Sequence, residues 1–172
     1  MREAGATRAH CNLETSKVIP GNLHRTHTYD QKIETLKAAV AAGLSICSGG
    51  IMGLGETLED RVDMVLTAKE LGVKSVPVNF LNPIPGTPYE DNKPLTDEEA
   101  RQCVAVFRFI IPDASIRLAG GRGLLDDKGK ECFRSGANAA ISGDMLTTAG
   151  ITVQKDMEML KDLGYKPQLW ED

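Results

Sequence analysis

Five short apolar runs alternate with five amphipathic stretches along this chain, and no two runs of one kind adjoin. Such alternation predicts parallel strands joined by right-handed helical crossovers, because a parallel neighbour needs a long connection. The predicted strands are 6–12, 44–48, 73–80, 115–119 and 139–142. The predicted helices are 29–42, 58–71, 96–111, 126–134 and 152–163. In the first helix Ile33, Leu36, Ala39 and Val40 recur at helical spacing; in the second Val62, Val65, Leu66 and Ala68 do. Gly43, Gly72 and Gly164 stand where helices should stop. Thr96 and Glu99 form a capping box at the start of the third helix, and Pro112 ends it. The run LNPIPGTPYEDNKP is too rich in proline for a ladder or helix and reads as an extended connection.

Two architectures satisfy this order: an open doubly wound sheet and a (β/α) barrel. The strands end in Asn12, Cys47, Asn79 and Arg117, polar or reactive residues that suit the C-terminal mouth of a barrel. A closed barrel needs eight strands and about 250 residues. Five βα units in 172 residues therefore predict a partial TIM-type barrel over 1–165, with a loose tail over 166–172.

Composition narrows the functional classes. The formal net charge is -4 and no basic block occurs, which argues against nucleic-acid binding. No apolar run approaches the roughly 20 residues of a membrane span. The start, MREAGATRAHC, lacks the apolar core of a secretory signal. Cys11, Cys47, Cys103 and Cys132 form no CxxC pair, against a disulfide scaffold or zinc finger, so a reducing cytoplasm is expected.

The densest chemistry is CSGGIMGLGET, from Cys47 to Thr57. Cys47 at a strand end reads as a thiolate ligand to a soft metal centre, or as a small buried apolar residue. Gly49, Gly50, Gly53 and Gly55 bring backbone close to a ligand, or simply make a turn; they do not form the dinucleotide pattern. Asn12 and Glu14, in HCNLETS, hold polar parts of a ligand or cap a turn. Asn79 ends VPVNF, and a buried amide there needs partners. Arg117 inside a strand needs an anion, either a ligand or an internal partner such as Glu56 or Asp144. Arg122, Asp144, Thr147 and Thr148 read as loop and capping residues, Cys103 and Cys132 as packing thiols, and His10, His24 and His27 as incidental.

The strings HCNLETS, CSGGIMGLGET, ELGVKSVPVNFLNPIPGTP, IRLAGGR and SGANAAISGDMLTT, in this order, resemble the biotin synthase family of radical S-adenosylmethionine (SAM) enzymes. The resemblance implies a (β/α)8 barrel of which this chain supplies strands four to eight. It implies sulfur insertion into dethiobiotin, a SAM-cleaving [4Fe-4S] cluster, a deeper [2Fe-2S] or variant cluster that donates sulfur, and a reductant protein. Cys47 and Arg117 correspond to ligands of the deep cluster, Asn12, Glu14 and Ile51 to SAM contacts, and Asn12 and Asn79 to substrate contacts. The family's Cys-x3-Cys-x2-Cys loop is not in this sequence, so the chain alone is expected to be inactive. Many relatives carry Y-N-H-N where this chain has Ala9, His10, Cys11 and Asn12, which makes Cys11 a candidate extra ligand. Lys32 stands where many relatives carry an arginine for the SAM carboxylate. Another radical SAM enzyme, such as a hydrogenase-maturation relative, or a non-catalytic half-barrel binding protein remain alternatives. Five strands leave open edges, from which self-association is expected.

Overall fold

Alternation of strand and helix is what the chain adopts. The computed structural model describes residues 2–17, 26–144 and 150–168. Six strands appear: β1 (Arg8–His10), β2 (Ser45–Cys47), β3 (Gly50–Met52), β4 (Ser75–Phe80), β5 (Ser115–Leu118) and β6 (Ala139–Ala140). The helices are α1 (Tyr29–Ala41), α2 (Leu58–Glu70), α3 (Asp97–Ile110), α4 (Lys130–Arg134) and α5 (Val153–Asp162). Every strand pair is parallel, in the order β1-β2-β4-β5-β6, with β3 beside β4. This is a partial TIM-type barrel with β1 and β6 at its open edges among the described residues.

Local chemistry explains the helix boundaries. Thr28, Thr57 and Thr96 each accept a hydrogen bond from the backbone three residues on, and the side chains of Gln31, Asp60 and Glu99 accept in turn from the cap N–H. Gly72 ends α2 in the left-handed region at φ +75°, which an L side chain rarely adopts. One face of each helix then packs on the sheet. Met64, Val65 and Ala68 of α2 and Ala100, Cys103, Val104 and Phe107 of α3 meet Val76, Val78, Ile116 and Leu118 in one core. Full burial of the valine, leucine, isoleucine, methionine and phenylalanine side chains among them stabilises by about 1.5–3 kcal/mol each relative to exposure.

Two boundaries depart from the sequence expectation. The helix expected over 126–134 is shorter, because left-handed Gly129 (φ +86°) separates α4 from the preceding turn. Asp127 starts α4 instead, accepting from the backbone N–H groups of Gly129 and Glu131 at 2.8 and 2.7 Å. The second departure is β3, which was read as a glycine loop. It continues the line of β2 after a break at Ser48 and Gly49. A Cβ on Gly49 would lie 2.0 Å from the Pro77 carbonyl oxygen, and one on Gly50 2.4 Å from the Glu14 carbonyl oxygen. These two glycines let strands approach each other, not a ligand.

Candidate functional site

Register assigns the polar residues of the strands to one face. Cys47 pairs with Ser75, Ser75 with Ser115, Pro77 with Arg117, and Ile51 with Asn79. Directly paired residues share a face and residues two apart return to it. Cys47, Ile51, Ser75, Pro77, Asn79, Ser115 and Arg117 therefore share the face opposite the helix-packed Val76, Val78, Ile116 and Leu118. That inner face is the floor of the candidate site.

Its centre is rich in unspent polar capacity. Cys47 is a free, buried thiol. The Ser75 and Ser115 hydroxyls, in the same row, are buried without a hydrogen-bond partner. Natural proteins seldom leave buried hydroxyls so, and a ligand or an ordered water can complete them. Arg117 is half-buried and makes no hydrogen bond or ion pair through its guanidinium among the described residues. Of the two internal partners suggested for it, Glu56 accepts from Arg61 Nε and from the Gly53 N–H, both at 2.7 Å, and Asp144 accepts from the Gly150 N–H. A soft sulfur donor, a fixed cation and two orphan hydroxyls on one face fit an iron–sulfur group. They form part of a ligand set, since no three His, Cys, Asp or Glu side chains among the described residues gather as a metal site.

The rim lies where the chain passes from β1 to residue 14. The Gly49 N–H donates to Asn12 Oδ1 at 3.1 Å, so this side chain replaces a ladder carbonyl at the break between β2 and β3. Glu14 then pairs in parallel with Gly50 and adopts φ +73°, a strained value for a non-glycine. Burial pushes the Glu14 carboxyl above its ordinary 4.5, with Lys32 and His10 pulling it down. Its Oε2 is buried without a partner, and Lys32 Nζ stands 3.8 Å from Oε1 while donating to the Asn12 carbonyl at 2.9 Å. Strain, an orphan oxygen and a perturbed carboxyl in one residue make Glu14 a candidate ligand contact.

Asn79 is braced by backbone. Its Nδ2 donates to the Gly50 carbonyl at 3.1 Å, and the Gly120 N–H donates to its Oδ1 at 2.9 Å. One N–H and one lone pair remain for a ligand. Ile51 sits half-buried directly beside it.

Other sequence readings need correction. Cys11 packs against the hydrophobic core cluster, on the helix side of the sheet, so it does not face Cys47 as an extra ligand. Arg122 is no loose loop residue: it is 2% exposed and its Nη2 donates to Asp156 Oδ1 and Oδ2 at 2.8 and 2.6 Å. Ser142 Oγ donates to the same carboxylate. Asp144 accepts from the Gly150 N–H at 3.1 Å, within the loop before α5, whose N-cap is Thr152 and not Asp144. His24, Thr147 and Thr148 lie outside the described residues. His10, incidental on the sequence alone, is not so in the fold. It pairs with Cys47 in register, and its Nδ1 lies 3.3 Å from Cys47 Sγ. The signal was present in the sequence as alternate polar positions in RAH, SIC, SVPVNF and SIRL.

A model of the Biotin and Thiamin Synthesis associated domain matches residues 77–166, more than half of the 172. The chain belongs to this family. The Biotin and Thiamin Synthesis associated domain residues include Asn79 and Arg117 of the inner face. Among curated relatives, the biotin synthase of Brachyspira hyodysenteriae is 59% identical over 172 residues, all of this chain and 52% of that protein. Biotin synthase 2 of Corynebacterium diphtheriae is 59% identical over 165 residues, 96% of this chain and 50% of that protein. The biotin synthase of Akkermansia muciniphila is 57% identical over 169 residues, 98% of this chain and 53% of that protein. The chain spans about half the length of the curated relatives it matches. Among solved structures, methylornithine synthase (PylB) superposes with TM-score 0.77 at 20% identity, covering 98% of this chain and 54% of that one. HydG, a maturase of the [FeFe]-hydrogenase, gives 0.76 at 18% identity, with 99% and 42% covered. These likenesses speak to the fold alone: a half-barrel embedded in longer chains.

Proposed function

We propose that this chain is the C-terminal part of a biotin synthase, which inserts sulfur into dethiobiotin with SAM as radical source. The observation that carries the reading is identity of 57–59% to proteins named biotin synthase, sustained over nearly the whole chain. The inner face supports it, because its donors suit the chemistry the name requires.

In this reading Cys47 provides a thiolate and Arg117 a guanidinium to the deep iron–sulfur group, of the [2Fe-2S] type or a variant. Ser75 and Ser115 offer their free hydroxyls beside it. The bound groups would supply the inserted sulfur atom and the electron that cleaves SAM, the latter from a [4Fe-4S] cluster whose cysteine loop is not in this sequence. Arg117 has the fixed positive charge to offset an anionic centre without a proton that can be lost. Glu14 and the free amide of Asn12 accept from and donate to SAM hydroxyl and amine groups, and Ile51 packs on the adenine. Asn79 offers its remaining N–H and lone pair to the substrate, as does Asn12. Backbone bracing holds the Asn79 amide in one orientation before substrate arrives, so little side-chain entropy is lost on binding.

The same reading includes a reductant protein, a cytoplasmic setting and self-association through the open edges. A radical SAM relative with another substrate has less support, since likeness to HydG stops at 18% identity. The test is biotin formation from dethiobiotin and SAM by the protein expressed from its full reading frame, anaerobically and with a reductant. The wild type is expected to form biotin and Cys47→Ala none. A wild type that holds its clusters yet forms no biotin would overturn the proposal.

A further inference from the structure

We infer that His10 is the positioning residue for the Cys47 thiolate: its Nδ1–H donates a hydrogen bond to Sγ and so sets the reduction potential of the iron–sulfur group. This rests on the reading that Cys47 is a ligand. β1 and β2 run in parallel register with His10 directly beside Cys47, and Nδ1 lies 3.3 Å from Sγ. That distance suits an N–H···S hydrogen bond, sulfur being larger than oxygen. Bonded to iron, Cys47 carries no proton. The hydrogen between the two atoms must then come from Nδ1, which fixes the imidazole as donor there. No other side chain among the described residues is hydrogen-bonded to Cys47.

The surroundings hold the two strands in register around the pair. Arg8, two residues back on the same face, donates from Nε to Ser45 Oγ at 3.1 Å, tying β1 to β2 just before the pair. Past it, the Gly49 N–H to Asn12 bond ties the same two segments again. Cys47 is 3% exposed while His10 is exposed, so the contact is shielded from water on the sulfur side. A donor on a ligating sulfur draws charge from it and favours the reduced, more negative state of the group it binds. The imidazole therefore raises the potential of the centre, while Cys47 remains the ligand.

The test compares wild type, His10→Ala, His10→Gln and Cys47→Ala in the full-length protein reconstituted anaerobically with iron and sulfide. The readouts are bound iron and sulfide, the sulfur-to-iron charge-transfer absorption and the reduction potential. His10→Ala is expected to keep its iron and sulfide, shift the absorption and move the potential negative. His10→Gln, whose amide N–H reaches toward the same sulfur, should restore part of that shift. An unchanged potential in His10→Ala overturns the inference. Loss of iron equal to that of Cys47→Ala also overturns it, since His10 would then be a ligand. A wild type that binds no iron and sulfide fails one step earlier: it sinks the ligand role of Cys47, and this inference with it.

Discussion

Glu14 combines a left-handed backbone, a buried orphan oxygen and a carboxyl pushed above its ordinary 4.5. The unfolded carboxyl titrates near the ordinary value and the folded one higher. Between the two the folded chain holds more proton, so stability falls as pH rises through that interval. Glu14→Gln removes the deficit. The variant should be more stable than the parent at neutral pH and equal to it well below 4.5, as urea unfolding across pH would read. A second prediction concerns thiols. Burial, with Asp127 and Asp97 adding, pushes Cys132 up to about 12. Burial also raises Cys103, against the pull of Arg61. Iodoacetamide should modify half-exposed Cys11 first and reach Cys103 and Cys132 only after denaturation, as peptide mass spectrometry would show. At this scale the sequence was partly legible. Cys47, Glu14 and Arg117 stood out because polar residues at strand ends need a reason. His10 and Arg122 did not, because their partners lie 37 and 34 residues away and only the fold brings them near.

Between elements, the buried pair of Arg122 and Asp156 ties the turn after β5 to the first turn of α5, with Ser142 after β6 as a third member. Removing one partner leaves a buried charge alone. Arg122→Ala is expected to cost about 3–5 kcal/mol, and Arg122→Met with Asp156→Leu to recover most of it. Equal losses in single and double variants, measured by chemical unfolding, would show that the pair is not the cause. Helix ends were readable at this scale because caps are local: Thr96 with Glu99 specifies its turn without help from the rest of the chain. The β2–β3 break was not. Its glycines look like a ligand loop until Pro77 and Glu14 are seen pressed against them. The side chain of Asn12, filling a gap in the ladder, is likewise a tertiary fact.

For the whole molecule, strict alternation carried the architecture, and the polar strand ends chose the barrel over the open sheet. The sheet runs from β1 to β6 without closing among the described residues. Open edges present unpaired N–H and C=O groups to other chains. The 172-residue chain studied alone should therefore self-associate, with sedimentation velocity giving species larger than a monomer; a single monomeric boundary over a wide concentration range would contradict this. Residues at the two edges reach the inner face only through the parallel register of the strands between them. The proposed chemistry thus depends on that face serving as the floor of a metal site. Anomalous diffraction at the iron edge, on crystals of the full-length iron-loaded protein, tests this most directly. An iron peak is expected over the inner face, in bonding range of Cys47 Sγ and beside Arg117. Iron bound only at Cys11, Cys103 or Cys132, or away from this sheet, would contradict it.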